Sequence, residues 1–235
     1  MTAIYAFTAK DKGLGFIAAD DLDSEGKKVD KIALIDKRYA VTCHGKGIVV
    51  KAAQYIESFE IYNNCDTLGS IENVINEIFQ ITKILCEKLF PVYQKERDEG
   101  KLSEKEWVND VLAASVVMII LDGVSKQLYQ VTQNNLFPPD KIDLNPKITS
   151  LDDNKLHLFS FAEFANLKSS LPLTEDILLN PIGYIGEKIV ADKMKEPKIG
   201  NLGTYVLCNG EKIEISTCFE SAKDYVFNMI SDKCE

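Results

Sequence analysis

The chain opens with short apolar runs separated by polar turns, a spacing that predicts strands. Residues 2–8 and 15–19 flank Lys10-Asp11-Lys12-Gly13, a polar turn closed by glycine, and read as a hairpin. After a polar loop at 20–30, residues 31–35 and 39–43 form a second strand pair across Asp36-Lys37-Arg38. Two adjacent hairpins predict an antiparallel sheet. The period then changes. Ile48, Ala52, Tyr55 and Ile56 line one side of a helix over 47–59, and Ile71, Val74, Ile75, Ile78, Ile81, Leu85 and Leu89 do so over 70–90. Pro91 is expected to break or end this second helix, because it has no N–H to donate. Ser103 and Glu106 form a capping box, which predicts a short helix through Trp107 and Val111.

Strand spacing returns at 116–121 and 127–131, joined by Asp122-Gly123-Val124-Ser125. Residues 134–154 are polar, carry Pro138-Pro139 and Pro146, and read as a loop insertion; a short strand at 157–161 follows. Ile182, Ile185, Ile189, Val190 and Met194 mark another amphipathic helix. Residues 203–208 and 212–216 make a last hairpin across Asn209-Gly210, and Ala222, Tyr225, Val226, Met229 and Ile230 close the chain as a helix. This order of elements predicts an α+β chain, with two antiparallel sheets stacked and helices outside. Strands before and after the central helices are needed to build the same pair of sheets, so residues 1–235 are read as one domain.

Composition narrows the partners. Thirty-six Asp and Glu against 27 Lys and Arg leave a formal charge of −9, which repels nucleic-acid backbones and anionic membranes. The longest apolar run, 116–121, is far short of the roughly 20 residues needed to span a bilayer. With no secretory leader, a cytoplasmic location is expected. Six cysteines, Cys43, Cys65, Cys86, Cys208, Cys218 and Cys234, form no C-x-x-C pair and are expected as thiols. His44 and His157 have no second ligand at zinc spacing, so no metal site is expected. Gly13-Leu14-Gly15 and Gly45-Lys46-Gly47 match no phosphate-loop pattern and read as turn and helix-entry glycines. A Cys43-His44 dyad is geometrically poor, because adjacent strand residues point to opposite faces.

The chemistry is concentrated at the start. Removal of Met1 would give Thr2 an α-amino group, with an unperturbed pKa of about 7.7–8.0, beside its own hydroxyl. One residue then supplies nucleophile and base. The Lys31 ammonium would lower both pKa values by like-charge repulsion, Asp20 would hold Lys31 in place, and the Gly45 N–H would face the developing oxyanion.

Thr2, the strand end Phe16-Ile17-Ala18-Ala19-Asp20, Lys31-Ile32 and the stretch from Tyr39 to Gly45 leading into a helix at Gly47 resemble the N-terminal nucleophile hydrolases, in particular the proteasome β-subunit type and its bacterial relatives. Residues 116–132 and 200–216 are similar to the family's central and late hairpins. The resemblance implies a four-layer αββα sandwich, an N-terminal threonine peptidase without a cofactor, and a homo-oligomer of rings acting on peptides or unfolded proteins. It implies Thr2 as nucleophile, Asp20, Lys31 and Gly45 as its catalytic partners, and Cys43, Gly47 and Asp21 around the substrate pocket. Two other functions stay open: a catalytically inactive structural or regulatory subunit, and an N-terminal nucleophile amidohydrolase acting on a small amide.

Overall fold

A computed structural model describes residues 2–22, 26–63, 68–162, 165–195 and 199–216. Eleven strands among these form two antiparallel sheets. The first strands are β1 (Ala3–Ala9), β2 (Leu14–Asp20), β3 (Ile32–Ile35) and β4 (Tyr39–Gly45). They are followed by β5 (Val116–Asp122), β6 (Gln127–Gln133), β7 (Ile148–Ser150), β8 (Lys155–Ala162), β9 (Ala165–Pro172), β10 (Leu202–Asn209) and β11 (Lys212–Ser216). One sheet runs β11-β10-β2-β1-β8-β9 and the other β3-β4-β5-β6-β7.

The period-two strands sort their side chains into separate cores. In β1, Tyr5, Phe7 and Ala9 pack with Ile177, Ile185 and Ile189, which lie on helices α4 (Glu175–Leu179) and α5 (Pro181–Lys195). Ile4 and Ala6, on the opposite face, pack with Ala40, Ile119 and Leu121 of the other sheet. That second sheet turns Val41, Met118 and Ile120 toward α1 (Ile48–Asn63) and α2 (Ile71–Asp98). Both sheets therefore face each other and carry helices on their outer sides. Strands buried on both faces read as almost continuous apolar runs, which explains the composition of β1, β2 and β5. No helix among the described residues is long and apolar enough to cross a membrane.

Three expectations need correction. Helix α2 does not stop at Pro91 but runs through it to Asp98. The exposed proline forfeits one backbone hydrogen bond, and the turns beyond it are held by side-chain packing. Phe90 stacks on Trp107 and Phe137 at ring separations of 5.7 and 5.8 Å, Tyr93 meets Phe137 edge-on at 5.5 Å, and the Arg97 guanidinium lies 4.6 Å from the Trp107 ring. The supposed loop at 134–154 contains strand β7, which pairs with the outer edge of β6 through Val131 opposite Ile148. Beyond the expected strand at 157–161 lies β9, paired along its length with β8. Both are outermost strands, whose backbones bond on one side only and need no alternating apolar pattern. The predicted capping box is present on Ser103, heading a short α3 (Glu104–Glu106) that widens into a π-helical segment over Trp107–Leu112. The helix expected at 222–230 lies outside the described residues, as do Cys65, Cys218 and Cys234.

Candidate active site

Four strand ends meet at one end of the sandwich. β1 and β2 are antiparallel with Ile4 opposite Ala19, so the start of β1 lies beside the end of β2, and Thr2 comes next to Asp20. β3 and β4 pair with Ile32 opposite Thr42, which brings the approach to β3, with Lys31, beside the end of β4. The antiparallel hairpins order Thr2, Asp20, Lys31 and Gly45 in this way because each joins a strand beginning to a strand end.

Asp20 is fully buried and serves as the hub. Its Oδ1 accepts hydrogen bonds from the Ala3 backbone N–H at 2.8 Å and from Lys31 Nζ at 2.9 Å, and its Oδ2 accepts from Gly200 N–H at 2.9 Å. Lys31, 7% exposed, also donates to the Leu22 carbonyl and to Thr2 Oγ1, the latter at 3.4 Å. A buried ammonium is tolerated when a counter-charge and further acceptors replace its water shell. Here those are Asp20, Leu22 and Thr2. Thr2 itself is half-buried, and its hydroxyl accepts from Lys31.

Gly45 ends β4 with φ of +105°, a conformation natural only to glycine. A Cβ there would lie 2.3 Å from the Ser115 carbonyl oxygen. Gly47 is exposed ahead of α1, and nothing lies within 4 Å of where its side chain would begin. Cys43, two residues before Gly45, is buried in the helix-side core; desolvation pushes its thiol up to about 12, so it stays protonated and unreactive at neutral pH. Asp21 is also buried, with Oδ1 accepting from Asn201 N–H at 2.7 Å and its own N–H donating to the Asn201 carbonyl at 3.0 Å. The carboxylate of Asp21 is thereby fixed to the backbone that enters β10.

His44 is buried on the opposite face of β4 from Cys43. Burial, with positive charge including that of Lys31, lowers its pKa from 6.5 to about 4 and keeps it neutral. A histidine whose folded-state pKa lies below its unfolded value destabilises the fold once pH drops under the unfolded value, and the penalty is complete below the folded one. Wild type should therefore lose about 3 kcal/mol through this residue between pH 6.5 and 4, relative to His44→Gln. Urea midpoints of both proteins across that range measure it; parallel curves would refute it.

Two tertiary features had no signal along the chain. Tyr5 donates its hydroxyl to Asp192 on α5, and burial, reinforced by that carboxylate, raises the phenol far above its usual range. Thr204 donates to Asp30 Oδ1 at 2.6 Å, next to Lys31. Partners separated by 187 and 174 residues leave no spacing to read. Among the described residues no group of three or more His, Cys, Asp or Glu could hold a metal, and Cys43, Cys86 and Cys208 are buried thiols.

No protein-family model matches the chain, and no curated protein matches it in sequence.

Proposed function

We propose that the chain is a hydrolase of the N-terminal nucleophile type, with Thr2 attacking a peptide bond after removal of Met1. The observation that carries this reading is Lys31 Nζ, 3.4 Å from Thr2 Oγ1 and ion-paired with buried Asp20 at 2.9 Å. An ammonium beside a threonine hydroxyl stabilises the alkoxide as it forms, and its positive charge favours the unprotonated form of a neighbouring α-amine. The Thr2 oxygen attacks the substrate carbonyl carbon while its proton passes to the α-amine. The amine then delivers that proton to the leaving nitrogen as the C–N bond breaks, and an ester to Thr2 remains. Water, deprotonated by the same amine, attacks the ester carbon, and cleavage of the C–O bond restores the hydroxyl. Gly45 N–H is assigned to the oxyanion, and Gly47, beside open space, to the substrate side-chain pocket. The sequence resemblance extends the reading to peptide or unfolded-protein substrates and to a homo-oligomeric ring.

Intact mass and covalent labelling test the proposal. The mature protein from its native host should be lighter by one methionine, and a peptidyl β-lactone should acylate it once per chain. Thr2→Ala should abolish labelling. Retention of Met1, or labelling that survives the substitution, would sink the assignment.

A further inference from the structure

The pairing of β10 with β2 skips a step near the candidate site. Leu202 lies opposite Asp20 and Tyr205 opposite Ala18, so Gly203 and Thr204 together face the single residue Ala19. One extra residue on one strand is a β-bulge, a device that re-aims a side chain and is common beside active sites. Gly203 is required there, since a Cβ on it would lie 2.9 Å from the Asp21 side chain.

The side chain re-aimed by this bulge is Thr204. It is fully buried, and its hydroxyl donates to Asp30 Oδ1 at 2.6 Å. Asp30 leads directly into Lys31, and its carbonyl accepts from Gln54 Nε2 of α1 at 3.0 Å; the Lys31 carbonyl accepts from Thr42 Oγ1 at 2.7 Å. The Lys31 main chain is thus held from α1, from β4 and, through Asp30, from β10 in the opposite sheet. Two buried polar ties run side by side between the sheets at this end: Lys31 to Asp20, and Thr204 to Asp30.

From this we infer that Thr204 is a positioning residue for Lys31. Its bond to Asp30 sets how far the start of β3 stands from Asp20, and so fixes Lys31 Nζ against the Thr2 hydroxyl. The inference rests on the proposed function. A hydroxyl that acts only on this distance changes the rate of the chemical step and leaves binding of the acylating molecule alone, because Thr204 is buried away from any substrate.

The test is the acylation of the full chain, with Met1 removed, by a fluorescent peptidyl β-lactone. The Thr2 oxygen forms a bond to the lactone carbonyl, the ring C–O bond breaks, and the freed alkoxide takes the hydroxyl proton. Thr204→Val keeps the shape and deletes the hydroxyl. The expected result is a fall of about tenfold or more in kinact with KI within about twofold, and recovery to near wild type in Thr204→Ser. Asp30→Asn weakens the same bond from its other end without emptying a buried site, and should lower kinact by about threefold; it carries the test should Thr204→Val not fold. An unchanged kinact in a folded Thr204→Val or in Asp30→Asn, or a change confined to KI, overturns the inference while Thr2 labelling of wild type keeps the proposed function standing. Wild type that is not labelled at Thr2 overturns the proposed function and this inference together.

Discussion

Asp20→Ala should lower stability by about 3–5 kcal/mol, a large part of what a domain of this size has. The substitution removes the buried carboxylate 2.9 Å from Lys31 Nζ, an ammonium whose side chain is 9% exposed. It also strands backbone donors, Ala3 N–H and Gly200 N–H at 2.8 and 2.9 Å and Leu22 N–H at 3.4 Å, which lose their acceptor at a fully buried position. Urea denaturation monitored by circular dichroism gives the loss directly, and a loss below about 1 kcal/mol would mean that Asp20 is solvated in solution. The double variant Asp20→Leu, Lys31→Met separates fold from chemistry. Replacing a buried ion pair by apolar groups of similar size is often close to neutral, so the double variant should recover the part of the Asp20→Ala loss that comes from the uncompensated ammonium, while the stranded backbone donors keep it less stable than wild type. It should nonetheless fail to react with the β-lactone, because the charge beside the Thr2 hydroxyl is gone.

The second large effect is expected at Gly45. Gly45→Ala should cost about 3 kcal/mol or more and should abolish acylation of Thr2 in whatever fraction stays folded. Two penalties combine there. An L-residue is strained at φ of +105°, and the new methyl would meet the Ser115 carbonyl oxygen at 2.3 Å and Val116 Cα at 3.2 Å. These are backbone atoms of the neighbouring β5 segment, so relief requires the end of β4 to separate from it, moving the N–H assigned to the oxyanion. Gly47→Ala is the internal control: with nothing within 4 Å, it should change stability by less than about 0.5 kcal/mol. Equal losses at both glycines, measured by thermal denaturation, would refute the steric account.

The candidate site was legible where chemistry and local pattern coincide. Thr2, Asp20, Lys31 and Gly45 each sit at a strand end that the apolar runs and the turns at 10–13 and 36–38 already placed, and antiparallel pairing brings such ends together. The last hairpin across Asn209-Gly210 was readable for the same reason, since both of its strands and its turn lie within a few residues. Legibility failed at the sheet edges and at the proline. β7 and β9 have polar sequences because they bond on one side only, and Pro91 is carried inside α2 by aromatic contacts to Trp107 and Phe137, two segments distant in the chain.

What the sequence determined by itself is the set of elements whose signals are short-ranged: the two-sheet α+β plan, the helix faces, and the four strand ends that hold the candidate chemistry. Apolar period, turn residues and caps act over a few positions, so one chain displays them without a partner. Tertiary structure alone decided how those groups are held: Gly200 and Asn201 on the carboxylates of Asp20 and Asp21, the bulge that turns Thr204 onto Asp30, and Tyr5 on Asp192. Each of these bonds joins residues more than 170 positions apart. Such bonds form only once packing has excluded water from both partners, because a buried donor or acceptor must then be satisfied by whatever the fold has placed beside it.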